Sequence, residues 1–264
     1  MPEIITIIGG FDKSGQPEKI DRIDIKRGQI YSIVGYTGSG KSQLISDIEQ
    51  MAQKDTITER QILIDGNTVD YKTRYDPDAK LVAQLSQNMR FALEMQVEEF
   101  LMMHGECRGI NITKKMIEEI MSAVNSLTGE PVMPDDILTR LSGGQSRALM
   151  IADVAVLSNS PIILIDEVEN AGIDRRKAIE LLTGKGKIVL IVTHDPQLAL
   201  LGEKRIVMKN GGMDKVIELS REERHAEAML SKFVNKIFYA QSIIREGETI
   251  CIDDLVIAER SAYV

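Results

Sequence analysis

The sequence predicts an α/β fold with a mixed, largely parallel sheet as its core, an antiparallel β portion near the amino terminus and a helical subdomain. Two apolar runs, residues 162–165 and Ile188–Val192, have the length and composition of parallel strands buried on both faces. A helical pattern at residues 175–182 lies between them, as in a strand–helix–strand unit. Residues 3–34 instead read as short strands separated by turns, at residues 4–8, 20–25 and 29–34.

The bulk composition is that of a globular domain. The chain has 264 residues, of which 43% are hydrophobic and 27% are charged. A formal charge of −8 argues against a general nucleic-acid binder. The two cysteines, Cys107 and Cys251, have no metal-ligand spacing and are expected to be reduced thiols. No apolar run approaches the roughly 20 residues that span a bilayer, so we expect no transmembrane segment.

Residues 35–42 carry the first chemical motif. They read Gly-Tyr-Thr-Gly-Ser-Gly-Lys-Ser and match the pattern G-x-x-x-x-G-K-[ST], with a predicted strand before them and a helical pattern after them. In such a loop, backbone N–H groups converge on a phosphate at the positive end of the helix dipole. The lysine supplies charge to the β- and γ-phosphates, and the last serine supplies a hydroxyl to Mg²⁺. The predicted phosphate loop consists of Gly35, Tyr36, Thr37, Gly38, Ser39, Gly40, Lys41 and Ser42.

A second motif ends the apolar run that begins at residue 162. Asp166 and Glu167 follow four aliphatic residues directly, which places both carboxylates at the carboxyl edge of the sheet, where ligands of α/β proteins bind. Asp166 is predicted to hold Mg²⁺, directly or through water. Glu167 is predicted to orient and polarise the attacking water as a general base.

Helical periodicity predominates between these motifs and at the carboxyl end. Apolar residues recur at three- and four-residue steps from residue 97 to 128, with Gly105, Gly109 and Asn111 expected to break the pattern into two or more helices. We place the helical subdomain at about residues 88–145, within a domain of residues 1–217. Residues 218–264 are expected to form a helical extension whose apolar stripe packs on the core or on a partner. That stripe consists of Met229, Phe233, Ile237, Ala240 and Ile244.

A third motif gives the pattern its specificity. Leu141-Ser142-Gly143-Gly144-Gln145 lies between the phosphate loop and the acidic strand end, and the three motifs in this order resemble the ABC-type ATPases over about residues 3–217. The resemblance implies a P-loop NTPase fold, ATP and Mg²⁺ as cofactors, and a second ABC ATPase subunit, with a homodimer expected. In that family the LSGGQ segment of one subunit closes over ATP held by the other. Ser142 and Gly144 would donate hydrogen bonds to the γ-phosphate, and Gly143 and Gln145 complete the binding segment.

Four further site residues are implied by the same resemblance. His194, after a buried strand, would be the switch histidine that contacts the γ-phosphate, and Asp174 would lie near the dimer seam. The glutamine that senses the γ-phosphate and Mg²⁺ is either Gln84 or Gln87, and the register relative to the next helix favours Gln87. Phe11, 24 residues before Gly35, is the best aromatic candidate for stacking on adenine; the alternative is an ordinary hydrophobic contact.

The chain also departs from the family pattern. Gln43 follows Lys41-Ser42 where relatives often carry threonine, and residues 146–148 replace the usual glutamine-and-arginine run. Residues 167–172 replace a common proline-containing turn and are one residue longer, while the segment from residue 174 to 194 is short. These departures indicate a divergent branch but remove no group that hydrolysis needs.

Two functional interpretations follow from this resemblance. In the first, the chain is the ATP-binding subunit of an ABC transporter, and a separate membrane permease binds near residues 87–103. In the second, it is a soluble ABC ATPase that remodels or assembles a protein complex. We expect a cytoplasmic protein, or one held at the inner face of the membrane by its partner.

Overall fold

The computed structural model describes residues 2–76, 80–86, 90–166, 173–184 and 186–251. The chain divides into two compact units, Met1–Glu218 and Leu219–Val264. The strands of the first unit are β1 (Ile4–Ile8), β2 (Arg22–Lys26), β3 (Ile30–Val34), β4 (Gln61–Ile64), β5 (Asn67–Thr68), β6 (Val82–Leu85), β7 (Ile162–Asp166), β8 (Ile188–Val192), β9 (Lys204–Lys209) and β10 (Gly212–Glu218). Its helices are α1 (Lys41–Glu49), α2 (Tyr71–Tyr75), α3 (Val97–Cys107), α4 (Lys114–Leu127), α5 (Gly143–Val156), α6 (Arg175–Thr183) and α7 (Pro196–Ala199).

The larger sheet has six strands in the order β10-β9-β3-β8-β7-β6. Strands β9, β3, β8, β7 and β6 are parallel, and only β10 runs antiparallel, paired with β9 through a hairpin. The smaller sheet is antiparallel, in the order β2-β1-β4-β5. The predicted α/β class, with a mixed sheet and an amino-terminal antiparallel portion, is confirmed.

Both faces of the larger sheet are buried, which explains the continuous apolar runs in the sequence. Ile162 and Leu164 of β7 pack into an apolar core shared with α1 and the antiparallel sheet. Ile163 and Ile165 point to the other side and pack into a second core with α3, α4, α5 and α6. Because strand side chains alternate between faces, the residues of β7 before Asp166 are apolar at both the odd and the even positions. All four side chains are at most 2% exposed.

One sequence expectation about the helices was wrong. Gly105 does not interrupt the helical pattern, because α3 continues through it to Cys107. A β-carbon at this position would lie 2.2 Å from Cγ1 of Ile112, so the glycine allows the following loop to pack closely against the helix. Gly109 has a φ of +66° and lies in the loop between α3 and α4, as expected.

The second unit is described to residue 251 and contains helix α8 (Arg221–Arg245). The amphipathic helix predicted for residues 221–244 is therefore confirmed. Met229, Phe233, Ile237 and Ile244 on its predicted stripe are between 51% and 63% exposed. That the core or a partner covers the stripe stays a prediction, as do the predicted domain boundaries. Within the described residues, no helix is both long enough and apolar enough to span a membrane.

Candidate nucleotide-binding site

The register of the larger sheet brings three motifs to one edge. Asp166, the last residue of β7, lies opposite Val192 of β8, and Val192 lies opposite Ile33 of β3. Because these strands are parallel, the segments that follow them leave the sheet at the same edge. The phosphate loop begins two residues after Ile33, and His194 follows Val192 by two. His194 is exposed and Asp166 is half-buried at this edge.

The backbone of the phosphate loop requires glycine at two close contacts. Gly35 and Gly40 have φ values of +152° and +101°. A β-carbon on Gly35 would lie 2.6 Å from the carbonyl oxygen of Met208, and one on Gly40 would lie 2.7 Å from Cα of Gly211. The loop is therefore held against the β9–β10 hairpin, and a side chain at either position would displace it.

The loop presents donors that fit a phosphate group. Helix α1 begins at Lys41 after Gly40, and no side chain among the described residues caps its first N–H groups. The hydroxyl oxygen of Ser39 is buried and has no hydrogen-bond partner in the described structure. Lys41 is 6% exposed, and its ammonium donates to the carbonyl oxygens of Gly35 at 2.8 Å and Tyr36 at 3.2 Å, so it is already directed into the loop. Ser42 and Tyr36 are exposed, and Thr37 and Gly38 form the exposed tip.

Two supports of this loop were not found by sequence reasoning. The Lys13 ammonium donates to the carbonyl oxygen of Gly38 at 2.6 Å, and the Gly211 amide donates to the carbonyl oxygen of Ser39 at 2.8 Å. Lys13 lies close to Phe11 in sequence, and its own amide bonds the carbonyl oxygen of Asn210 at 2.9 Å. The dipeptide Asn210-Gly211 signals a hairpin turn, but no sequence pattern reveals which loop the turn contacts.

The LSGGQ segment forms the start of helix α5. The Ser142 hydroxyl accepts from the Gln145 amide at 3.3 Å, and the Gln145 side chain accepts from the Ser142 amide at 2.9 Å. This is a capping box, and it directs the positive end of a 14-residue helix toward solvent. Gly143 is exposed and Gly144 is half-buried. The segment can therefore offer N–H groups to an anion brought by another molecule.

An ion pair between neighbouring residues connects the segments that contain Asp174 and His194. Asp174 is the N-cap of α6, where its side chain accepts from the Lys177 amide at 3.1 Å. The next residue, Arg175, donates to the Asp195 carboxylate directly after His194. This ion pair connects the predicted dimer-seam segment to the predicted switch histidine.

The remaining predicted residues fall into two groups. Phe11 is 39% exposed and its amide bonds the carbonyl oxygen of Thr58 at 2.7 Å, so its ring is accessible beside the Lys13 support. Gln84 belongs to β6 and its side chain faces Glu49, where the amide nitrogen can donate to Oε2 at 2.9 Å. Gln87 and Glu167 lie outside the described residues. The choice of Gln87 over Gln84 stays a prediction.

The fold and the site define a P-loop nucleotide-binding protein with an LSGGQ helix in the same chain. The family profile described as "ABC transporter" matches residues 19–170. An uncharacterised ABC transporter ATP-binding protein of Methanocaldococcus jannaschii is 53% identical over 251 residues, covering 95% of this chain and 96% of that protein. The chain belongs to the ABC transporter family, and the predicted resemblance is confirmed.

A more distant sequence relative and two solved structures are also similar to this chain. An energy-coupling factor transporter ATP-binding protein of Staphylococcus aureus is 27% identical over 202 residues, covering 72% of this chain and 68% of that protein. Among solved structures, cbiO1 of Clostridium perfringens, part of an ABC transporter complex, matches with a TM-score of 0.62 at 22% identity, covering 93% of this chain and all of that one. A dimeric ATP-binding cassette bound to ADP and phosphate matches with a TM-score of 0.58 at 23% identity, covering 82% and 99% of the two chains. The two structures share the fold of this chain.

Proposed function

We propose that this chain binds MgATP, pairs head to tail with a second copy and hydrolyses ATP to drive a membrane permease. The observation that carries the proposal is the presence, in one chain, of two segments: a phosphate loop whose helix start has no side-chain cap from the described residues, and an LSGGQ segment at the exposed start of another helix. Each segment can supply half of an ATP site, so two copies related by a two-fold axis form two complete sites. The transport role is supported by the names of the relatives described above.

The proposed chemistry divides among residues of the two copies. In one copy, Lys41 and the loop N–H groups bind the β- and γ-phosphates, and Ser42 and Asp166 would hold Mg²⁺, which would neutralise phosphate charge. Glu167 orients the attacking water and accepts its proton as the bond from the γ-phosphorus to the bridging oxygen breaks. His194 and Gln87 contact the γ-phosphate in this scheme. The second copy contributes Ser142 and Gly144, so turnover depends on pairing.

We further propose that the permease binds a groove beside α3, in the region predicted around residues 87–103. A cavity of about 820 Å³ lies between β6, α3 and α5. Phe91 and Phe100 meet edge to face in its lining, with ring centroids 5.0 Å apart. His104 Nδ1 lies 2.8 Å from the Asp153 carboxylate, and a nitrogen of Arg108 is buried without a partner in the described structure. Aromatic rings beside an unsatisfied guanidinium nitrogen suit a short protein segment that carries both kinds of contact.

ATP turnover is tested with purified protein and a matched pair of variants. Lys41→Ala should weaken MgATP binding more than about tenfold, because it removes the charge directed into the loop. Lys72→Ala removes an exposed lysine from α2 and should leave binding and phosphate release unchanged. A wild-type protein that neither binds nor hydrolyses MgATP would refute the proposed activity.

The partner is tested by gentle purification of the native protein and identification of its companions. A membrane permease in stoichiometric amount supports the transporter role and a location at the cytoplasmic face. A soluble enzyme complex without a permease supports the second interpretation instead. With the permease in hand, Phe100→Ala should lower its association with this chain and leave basal ATP hydrolysis unchanged.

A further inference from the structure

A buried cluster of charges lies behind the phosphate loop. It consists of Glu18, Asp47 and Arg60, whose side chains are all 0% exposed. Nη1 of Arg60 lies 2.7 Å from Oδ2 of Asp47, and Nε lies 3.2 Å from Oε2 of Glu18. Burial alone would lower the pKa of Arg60, but the hydrogen bonds and charges of Glu18 and Asp47 outweigh it and hold the pKa above its ordinary value.

The carboxylates of this cluster are held from several elements. Glu18 also accepts from the amides of Gly10 at 3.0 Å and Met213 at 2.7 Å. Asp47, on α1, accepts from Thr58 Oγ1 at 2.8 Å and from Gln43 Nε2 at 3.0 Å. A buried ion cluster with satisfied hydrogen bonds has a strict geometry, since no water can replace a lost contact. Related ATPases often carry threonine at position 43. The hydrogen bond to Asp47 is a structural reason for glutamine there in this chain.

Arg60 also contacts the turn that supports the phosphate loop. Nη2 of Arg60 donates to the carbonyl oxygen of Gly211 at 2.8 Å. The amide of Gly211 donates in turn to Ser39, and Gly40 packs directly on Cα of Gly211. The guanidinium thus holds two elements that lie on either side of the phosphate loop. It holds helix α1 through Asp47 and the β9–β10 turn through Gly211.

We propose that Arg60 is a positioning residue for nucleotide binding that acts through Gly211 on the backbone of residues 38–41. This inference rests on the proposed ATP-binding function. A single residue with several donors in a rigid fork can fix three groups at once, and lysine cannot reproduce that geometry. Without the Arg60 guanidinium, the β9–β10 turn should shift. The N–H groups of the phosphate loop should then no longer point together toward the phosphate.

The first test compares glycine substitutions in two similar hairpin turns. Gly211 follows Asn210 and Gly66 follows Asp65, with φ values of +87° and +78°. A β-carbon on Gly211 would lie 2.6 Å from Cγ of Lys13 and 3.0 Å from its amide nitrogen, whereas one on Gly66 would meet nothing within 4 Å. Both substitutions should lower the melting temperature, because both force alanine to a positive φ, and Gly211→Ala should lower it further because its β-carbon also meets Lys13. Only Gly211→Ala should weaken MgATP affinity, by about tenfold, with turnover at saturating ATP retained.

The second test addresses Arg60 itself by a double-mutant cycle in MgATP affinity. Arg60→Lys should raise the KM for ATP several-fold and retain kcat, and its combination with Gly211→Ala should weaken affinity little beyond the stronger single variant. Multiplicative losses in the double variant would overturn the proposed path through Gly211. If Arg60→Lys does not fold, equal MgATP affinities for the two glycine variants still overturn the path through Gly211.

The outcomes separate this inference from the proposed function. Wild-type protein that fails to bind MgATP refutes the function. Wild-type protein that binds MgATP, together with equal affinities for Gly211→Ala and Gly66→Ala, overturns only the positioning role.

Discussion

Ser142 and Gln145 each bond the backbone of the other, so the LSGGQ segment is held as the first turn of helix α5. Gln145 also donates to the carbonyl oxygen of Pro131 at 3.1 Å, which connects this turn to the preceding loop. The serine side chain therefore has two tasks in our proposal: it caps its own helix, and it faces the ATP of the second copy. Each task can be measured separately.

The two tasks of Ser142 can be separated by comparison with Ser220. Ser220 forms the same capping box at the start of α8, with Glu223 as its partner. Ser142→Arg and Ser220→Arg should each destabilise the fold by about 1 kcal/mol, because each loses a helix cap. Only Ser142→Arg should abolish phosphate release, while leaving ATP binding by the monomer intact. Normal turnover of Ser142→Arg would contradict the shared ATP site.

Glu167→Gln should abolish hydrolysis and preserve MgATP binding. The amide cannot accept a proton from the attacking water, so we expect turnover to fall at least about 100-fold. Size-exclusion chromatography with MgATP should then reveal a trapped dimer, since the closed pair no longer reopens through hydrolysis. Glu246→Gln, an exposed glutamate after α8, serves as the control and should behave as wild type. Unchanged turnover of Glu167→Gln would refute its role as the base.

The Arg175–Asp195 ion pair should affect turnover more than binding. Asp195 accepts from the Gln197 amide at 2.7 Å and follows His194 directly, so loss of its arginine partner should alter the histidine position. Arg175→Gln is expected to lower kcat roughly tenfold with little change in ATP affinity. The matched control is Arg176→Gln, whose exposed side chain lies 3.1 Å from Glu180 on the same helix. Equal kcat values for the two variants would show that the ion pair has no catalytic effect.

Asp24 should contribute to acid sensitivity of the fold. Hydrogen bonds from Arg22 and Thr6 hold the pKa of Asp24 below its usual value. Stability from the ionised carboxylate is therefore present above the unfolded pKa, near 3.8, and is lost as pH falls through the lower folded pKa. Below about pH 4, the free energy of unfolding of Asp24→Asn should fall less steeply with decreasing pH than that of wild type. The difference should be less than about 1 kcal/mol, since the carboxylate is partly exposed.

Urea unfolding at several pH values measures this effect. Asp135→Asn changes an exposed aspartate in the loop before α5 and provides the control. If Asp24→Asn and wild type show parallel pH profiles, the hydrogen bonds to Asp24 do not stabilise the folded state.

Several parts of the fold could be predicted because their signals are local. The parallel strands β7 and β8 appear as apolar runs at residues 162–165 and 188–192, since both faces of these two strands pack into apolar cores. The phosphate loop and the LSGGQ segment are recognisable because each requires particular residues at fixed spacing. Gly105 misled the prediction because a glycine within a helix can serve close packing rather than a break.

The sequence by itself determined the α/β class, the order of the three motifs and the membership of the ABC family, because these depend on residue type and spacing along the chain. Only the tertiary structure decided that Arg60 is buried between two carboxylates, that Lys13 reaches Gly38 and that Gly211 supports Gly40. In sequence, Arg60 lies between Glu59 and Gln61 and reads as an ordinary surface residue. Its role depends on contacts with residues 42 positions before it and 151 positions after it, and no local pattern encodes such distant partners.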